Sequence, residues 1–309
     1  YPGSGPLLPA FLAPAFCAGA ASRLRLGPWK QSRVVWDDTV GRVYEDIAYG
    51  SEASQKFDMY VPAGRSNKSY GLVVYIHGGG FTGGDKRDDA EILRGFAARG
   101  FVAAGGNYTL HTASSPESSV YSMSCAIKSS IPAICDKAME LGFPLEAMAI
   151  GGGSAGGCLA LLYAYRDSAG APVPLRFVFE AVGPASLDPA DWIGPGMNSA
   201  AAAGFVSLMS GQQISAERYG SEEYKAALKS VSAYMWVDSS SVPTLCAYGQ
   251  HDKVVPFSTA ERLKQALADN GTEHDFIVLP HSGHGLQNDD SLYQMYLDKL
   301  DGYLRKYMA

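Results

Sequence analysis

Residues 147–157 read "AMAIGGGSAGG", and two different chemistries fit them. As Gly152-Gly153-Ser154-Ala155-Gly156 the stretch is G-x-S-x-G, a serine nucleophile on a tight strand-to-helix turn. As Gly151-Gly152-Gly153-Ser154-Ala155-Gly156 it is G-x-G-x-x-G, a turn that cradles a dinucleotide pyrophosphate. The second reading even has an acid to bind a ribose, because Glu180 ends the next apolar run, "LRFVFE".

Other residues weigh between the two. A second G-x-G-x-x-G stands at Gly78-Gly79-Gly80-Phe81-Thr82-Gly83, and one chain has little use for two such turns. It is not a P-loop, since Asp85 follows Gly84 where a lysine should stand. A serine hydrolase needs a base, an acid to orient the base, and donors for the developing oxyanion. In one hydrolase chain order the acid follows the serine and the histidine comes last. Here "YGQHDKVVP" puts Asp252 on the loop after the next-to-last strand, and "PHSGHG" puts His281 and His284 on the loop after the last. Both loops leave strand carboxyl ends, on the rim where Ser154 sits. The dinucleotide reading explains neither.

The elements that must position these residues follow from periodicity. "RVVWDDTV" and "RVYEDIAYG" read as an opening strand pair, followed by strands at "KFDMYVPA", "GLVVYIHGGG", "FVAAGGNY", "EAMAI", "LRFVFEAV", "VPTLCAYG" and "HDFIVLP". Helical patterns cover 86–99, 116–141 with Pro132 interrupting, 154–166, 256–270 and 288–307. Strands alternating with helices of this length make βαβ units, and the crossover rule then leads to a doubly wound, mostly parallel sheet. The near-continuous apolar strands fit burial on both faces. Residues 186–241 hold no strand but two helical stretches, "SAAAAGFVSLM" and "SEEYKAALKSV". They are expected to form a small helical cap above the strand carboxyl ends, where ligands bind in such sheets. The expected organisation is a segment 1–40 packing on one catalytic domain, 41–309, that carries this cap.

Bulk properties narrow the classes further. Of 309 residues, 47% are hydrophobic, so a sizeable core is available. A net charge of −6 without a long basic run argues against nucleic acid as a partner. The five cysteines, Cys17, Cys125, Cys135, Cys158 and Cys246, are odd in number and contain no C-x-x-C pair. Neither a zinc site nor a disulfide framework is expected. Cys125 and Cys135 fall on one helix about 15 Å apart, too far to bridge. "LLPAFLAPAFCAGAASR" (7–23) is apolar, but Pro9 and Pro14 break it and no basic residue precedes it. It makes a poor signal peptide and too short a membrane span. A cytoplasmic protein is expected, with a leader removed before Tyr1 as the open alternative.

The set His77-Gly78-Gly79-Gly80-Phe81, Gly152-x-Ser154-x-Gly156, "GQHDKVVPFS" and "SGHG" resembles the α/β-hydrolase family, and within it bacterial carboxylesterases with an HGGG oxyanion loop. "HGGGFTGGDK" and "HDKVVPFSTAERLKQAL" are more similar to the carbohydrate-esterase and feruloyl-esterase-like branch than to the hormone-sensitive-lipase branch. In the latter the nucleophile turn reads GDSAGG and the acid lies in a DPL-type segment, whereas here Gly153 precedes the serine. The resemblance spans roughly residues 45–305. It implies an α/β-hydrolase fold with Ser154 as nucleophile and His284 as base, preferred over His281 because Gly283 and Gly285 flank it. Asp252 is the implied acid. Glu180 is its rival, because some hydrolases place the acid at the end of that strand. The N–H groups of Gly78, Gly79 and Ala155 are the implied oxyanion donors, with His77 tying down the loop.

Each residue has a plainer role beside this one. Ser154 is also a good helix N-cap, and Glu180 a buried carboxylate supporting loops. Trp192, Met197, Phe205, Met209 and Trp236 read as cap core, and His111, His251 and His274 lack a matching context. The expected function is hydrolysis of short-chain carboxylic esters (acetyl, aryl or carbohydrate) through an acyl-enzyme, with no cofactor and no metal. The alternatives are an arylformamidase-like amide hydrolase and, from another class, a flavin or nicotinamide oxidoreductase. The expected partner is a small-molecule ester, with no nucleic acid and no membrane, and a homodimer is left open. Phe81 and Thr82 continue into the charged run "DKRDD" (85–89), which reads as a polar, solvent-facing mouth. The alanines from Ala200 to Ala203 offer little apolar surface for a lipid interface.

Overall fold

The computed structural model describes residues 34–64 and 69–308. The apolar stretch 7–23, Cys17 and most of the 1–40 segment lie outside them. Among the described residues eight strands form one sheet: β1 Gly41–Ala48, β2 Lys56–Pro62, β3 Tyr70–Ile76, β4 Val102–Gly106, β5 Leu145–Gly153, β6 Leu175–Ala181, β7 Thr244–Gly249 and β8 His274–Leu279. Their order is β1-β2-β4-β3-β5-β6-β7-β8. β2 runs antiparallel to both β1 and β4, and the remaining pairs are parallel. This is the doubly wound, mostly parallel sheet that the alternating pattern predicts.

Both faces of the sheet are covered because side chains along each strand alternate. Leu72, Val74, Ile76, Met148, Ile150 and Val178 point to one face. There they meet α2 (Val120–Glu140), α3 (Ala155–Leu162) and α6 (Phe257–Asp269). Val73, Tyr75, Ala149, Phe177, Phe179 and Leu245 point to the other, against α1 (Ala90–Ala98) and α7 (Asp290–Tyr307). Between β6 and β7 stand α4 (Ser199–Ser210) and α5 (Glu222–Val231). They share a small core of their own, with Ala202, Ala203 and Val206 of α4 against Tyr224, Ala227 and Leu228 of α5. Phe205 and Met209, on another side of α4, join the main core.

The structure departs from expectation in three places. Residues 34–40 of "RVVWDDTV" form no strand. Asp37 takes the Thr39 N–H on its side chain at 2.8 Å and the Val40 and Gly41 N–H groups on its carbonyl. This local turn consumes the donors a ladder would need, and the antiparallel opening pair is β1 with β2. Pro132 does not interrupt its helix, since α2 runs unbroken from Val120 to Glu140. A proline inside a helix costs about 3 kcal/mol. Ile127, Ile131 and Ile134 are all buried along the same helix, and at about 1.5–3 kcal/mol each they outweigh that loss.

The third departure is the "DKRDD" run. Lys86 turns inward, with its side chain 2% exposed, and its Nζ lies 2.7 Å from Asp58 Oδ1 and 3.0 Å from Asp46 Oδ1. The Lys86 N–H donates to Asn107 Oδ1 at 2.7 Å, and Asn107 Nδ2 donates to Asp85 at 2.7 Å. The chain leaving the 77–84 loop is thus pinned to β1 and β2 rather than left in solvent. Asp46 reaches Lys86 from a register shift in β1 between Tyr44 and Ile47, a bulge of the kind that re-aims a side chain.

Asp58 is 0% exposed, so Lys86→Met leaves a carboxylate buried without its cation. Breaking a buried pair from one side typically costs about 3–5 kcal/mol. Urea denaturation of Lys86→Met should show a loss of that order, and a midpoint equal to wild type would contradict the buried cross-link.

Candidate active site

Ser154 sits where β5 turns into α3, with φ 53 and ψ −123, a backbone conformation costly for any residue but glycine. Neighbouring backbone fixes it there. The Ser154 N–H donates to the Ala181 carbonyl at 2.9 Å, and the Cys158 N–H donates to the Ser154 carbonyl at 3.1 Å. The turn is this tight because α3 lies directly on the strands. A Cβ on Gly156 would come within 1.9 Å of the Ile76 carbonyl oxygen, and one on Gly152 within 2.5 Å of the Gly156 carbonyl. The same contacts speak against a dinucleotide cradle. These glycines face protein backbone, and Glu180, the would-be ribose ligand, is 0% exposed.

The Ser154 side chain makes no N-cap hydrogen bond. Its Oγ lies 2.9 Å from Nε2 of His284 instead, and His284 Nδ1 lies 2.7 Å from Oδ2 of Asp252. A carboxylate accepts only, so the ring proton sits on Nδ1 and Nε2 presents a lone pair to the serine hydroxyl. Asp252 is itself aimed, because its Oδ1 accepts the Val254 and Val255 N–H groups at 2.8 and 3.0 Å. The loops carrying the acid and the histidine follow adjacent strands, β7 and β8. They touch through the His251 N–H, which donates to the Ser282 carbonyl at 2.9 Å.

A second acid holds the histidine loop in shape. Asp289 accepts from the His281 N–H at 2.9 Å, from His281 Nδ1 at 2.8 Å and from Ser282 Oγ at 2.6 Å. His281 therefore turns outward, its side chain 76% exposed, while His284 turns in. Glu180 reaches no histidine; its Oε2 accepts the Gly183 N–H at 2.7 Å.

On the other side of Ser154 lies the 77–80 loop. A Cβ on Gly78 would stand 3.4 Å from the Ser154 Cβ, so this backbone borders the serine directly. His77 is buried; its Nδ1–H donates to the Gly78 carbonyl at 2.7 Å, and its ring stacks on Tyr108 at 4.5 Å. The Tyr108 hydroxyl donates to the His77 carbonyl at 2.9 Å. Burial pushes the His77 imidazole below its usual value, so it acts as an uncharged brace. Among the described residues the Gly78 and Gly79 N–H groups have no acceptor. The Ala155 N–H heads α3, ahead of any intrahelical partner.

A shallow cleft opens where the 77–80 loop continues into Phe81 and Thr82, lined mainly by Phe81, Val120, Met123, Leu208 and Met209 and by none of Ser154, His284, Gly78 or Gly79. Of the five cap residues singled out in the sequence, only Met209 lines it. Trp192 packs on Phe205, Met197 joins the small cap core, and Trp236 lies under Lys229. His111 also lines the cleft, with Nδ1 hydrogen-bonded to the Ser118 carbonyl at 2.8 Å. Sequence reasoning missed Val120, Met123 and Leu208, because they read as ordinary apolar helix positions and only tertiary packing brings them together. Among the described residues there is no cluster of three or more His, Cys, Asp or Glu that would hold a metal ion. Nor, among them, is any helix long and apolar enough to cross a membrane.

Comparison with known proteins supports the architecture. The BD-FAE family model matches residues 57–267. Among curated proteins none matches significantly. An inhibited esterase B from Lactobacillus rhamnosis superposes with a TM-score of 0.70 at 20% identity, covering 96% of each chain. A truncated carbohydrate esterase from gut microbiota gives a TM-score of 0.68 at 19% identity, covering 87% of this chain and 98% of that one. A propionate-bound thermophilic esterase from the Planctomycetes species Thermogutta terrifontis gives 0.67 at 21% identity, covering 88% and 96%. At these identities the likeness shows the fold, which is that of the α/β hydrolases.

The approach of α3 to β3 gives a direct test of the turn. Gly156→Ala forces a methyl group against the Ile76 carbonyl, and overpacking of this kind typically costs about 1–3 kcal/mol or more. Thermal denaturation should show a clear fall in Tm, and an unchanged Tm would mean that α3 does not dock this closely.

Proposed function

This chain belongs to the BD-FAE family of the α/β-hydrolase fold, and on that premise we propose that it is a serine esterase that cleaves short-chain carboxylic esters through an acyl-enzyme. The observation that carries this is the unbroken hydrogen-bonded chain from Asp252 Oδ2 to His284 Nδ1, and from His284 Nε2 to Ser154 Oγ, at 2.7 and 2.9 Å. Its three members come from the ends of three different strands. No structural need of the fold accounts for their convergence on the strained Ser154.

The chemistry follows from the direction of these bonds. Ser154 Oγ attacks the ester carbonyl carbon while its proton passes to His284 Nε2. Asp252 keeps the other ring proton on Nδ1 and stabilises the imidazolium that forms. The carbonyl oxygen becomes an oxyanion facing the N–H groups of Gly78, Gly79 and Ala155. One such donor is typically worth about 3–4 kcal/mol to the transition state. Collapse of the intermediate breaks the bond to the alcohol, which leaves with the proton from Nε2. Water then repeats the sequence against the acyl-Ser154 ester, releasing the carboxylic acid and restoring the serine.

The cleft at Phe81 and Thr82 suits the acyl group. Its walls are apolar, and α2 and α4 both contribute to them, with Met123 from the one and Leu208 and Met209 from the other. A few methylenes fit such a space, each worth up to about 0.8 kcal/mol, or roughly fourfold in kcat/KM. The T. terrifontis esterase, captured with propionate, points to the same size class.

The test combines variants with a chain-length series. Ser154→Ala should reduce p-nitrophenyl ester hydrolysis to background without unfolding the protein. Asp252→Asn should lower kcat by up to about 10⁴, through the wrong imidazole tautomer. For wild type, kcat/KM should peak between the acetate and the butyrate and fall by the octanoate. Turnover by Ser154→Ala near the wild-type rate would overturn the assignment. A maximum at octanoate or beyond would overturn the short-chain reading.

A further inference from the structure

Behind the nucleophile turn lies a carboxyl group that this chemistry does not use. Glu180 pairs in register with Gly152 of β5, and the carbonyl of the next residue, Ala181, holds the Ser154 N–H. Its side chain is wedged between two backbones. A Cβ on Gly157, in the first turn of α3, would stand 3.0 Å from Glu180 Oε2, and one on Gly183 would stand 2.8 Å away. Oε2 accepts the Gly183 N–H at 2.7 Å, and the carbonyl of the same Gly183 accepts from the Tyr248 hydroxyl at 2.9 Å. Oε1 is buried, and the Tyr248 hydroxyl lies beside the carboxyl.

The surroundings are uncharged. On its own face of the sheet the titratable neighbours of Glu180 are Cys158 of α3, Tyr165 from the turn after α3, and Cys246 and Tyr248 of β7, with Tyr75 of β3 and Tyr296 of α7 farther off across the sheet. Burial pushes each of these thiols and phenols upward, so all six are neutral near pH 7. Among the described residues no lysine, arginine or histidine forms an ion pair with Glu180.

We propose that Glu180 is a positioning residue that works as a neutral acid: it braces the first turn of α3 behind Ser154 while keeping negative charge away from it. The proposal rests on Ser154 being the nucleophile. The N-terminus of α3 carries a partial positive charge and the Ala155 N–H, and both are useful only if directed at the oxyanion. A carboxylate at Gly157 would compete for that field from behind, in a space where low polarity strengthens the effect. Burial also pushes the Glu180 carboxyl up to about 8, so the proton stays on at neutral pH and leaves above it.

Two readouts follow. Above its folded-state value, ionisation of Glu180 should reduce wild-type kcat/KM, tending to about tenfold per pH unit if the ionised form is inactive. Glu180→Gln keeps an acceptor for Gly183 and cannot ionise. Its ratio of kcat/KM at high pH to that at neutral pH should therefore exceed the wild-type ratio several-fold. Stability has its own sign. Because the folded-state value lies above the ordinary 4.5, the folded state holds the proton more tightly. The contribution of Glu180 to stability is then fully present below the ordinary value and is lost as pH rises through about 8, so the stability difference between wild type and Glu180→Gln should shift over that window.

The experiment is the kcat/KM pH profile of wild type and Glu180→Gln on p-nitrophenyl acetate. Superimposable alkaline limbs would overturn the proposal and leave the esterase reading intact, since that reading fails separately if Ser154→Ala stays active. Should Glu180→Gln not fold, infrared spectroscopy of wild type labelled with ¹³C in glutamate decides. A protonated glutamate carboxyl band that persists at neutral pH supports the proposal, and its absence overturns it. The glutamate label excludes Asp89, whose carboxyl burial also raises, to about 7.

Discussion

The contact between the start of α3 and the end of β3 is the constraint on which the rest of the structure depends. Gly156 approaches the Ile76 carbonyl so closely that no side chain fits between them. The chain must therefore reverse from β5 into α3 within one residue, and Ser154 takes up the strain at φ 53. A serine held this way projects its hydroxyl above the sheet instead of capping the helix. The same contact brings Gly78 alongside, because His77 and Gly78 continue directly from β3. Ser154 and the 77–80 loop thus share one packing event, and neither can shift without the other.

Around that point the molecule fixes loops by polar ties rather than by apolar packing alone. Lys86 with Asp58 and Asp46 secures the exit of the 77–84 loop. Asp289 secures the loop of His284, and the two backbone N–H groups on Asp252 secure the acid. Each tie is a carboxylate with several donors, the arrangement in which a buried charge is least costly to keep. Glu180 is the exception, with one backbone donor, the neutral Tyr248 hydroxyl beside it and no cation. Its difference from the other acids near the site is what marks it as working in another protonation state.

Much of this architecture was legible in the sequence because it is written in short-range patterns. The apolar strands are continuous where both faces are buried, as in "GLVVYI" and "LRFVFE". The G-x-S-x-G turn follows a strand and opens a helix, which is the context that gives the motif meaning. Asp252 and His284 were legible from their places after the last two strands. What was not legible depends on distant partners. "RVVWDDTV" alternates like a strand, but Asp37 diverts its donors into a turn. Pro132 looks like a break, and burial of the isoleucines around it overrides that signal. "DKRDD" looks solvated, but Lys86 has two carboxylates waiting on β1 and β2. The cleft was invisible for the same reason, since Phe81, Met123 and Met209 are each unremarkable in their own segment.

The central claim is that Ser154, activated by His284, attacks a carbonyl carbon whose oxygen then faces Gly78, Gly79 and Ala155. The most direct measurement is a crystal structure of the protein after reaction with a p-nitrophenyl alkylphosphonate, whose tetrahedral phosphorus stands in for the attacked carbon. The account predicts a covalent bond from Ser154 Oγ to phosphorus. It also predicts the phosphoryl oxygen about 2.7–3.1 Å from those backbone nitrogens, and the alkyl group in the cleft beside Phe81 and Met209. Phosphorus attached to another residue, or a phosphoryl oxygen turned away from the 77–80 loop, would contradict it.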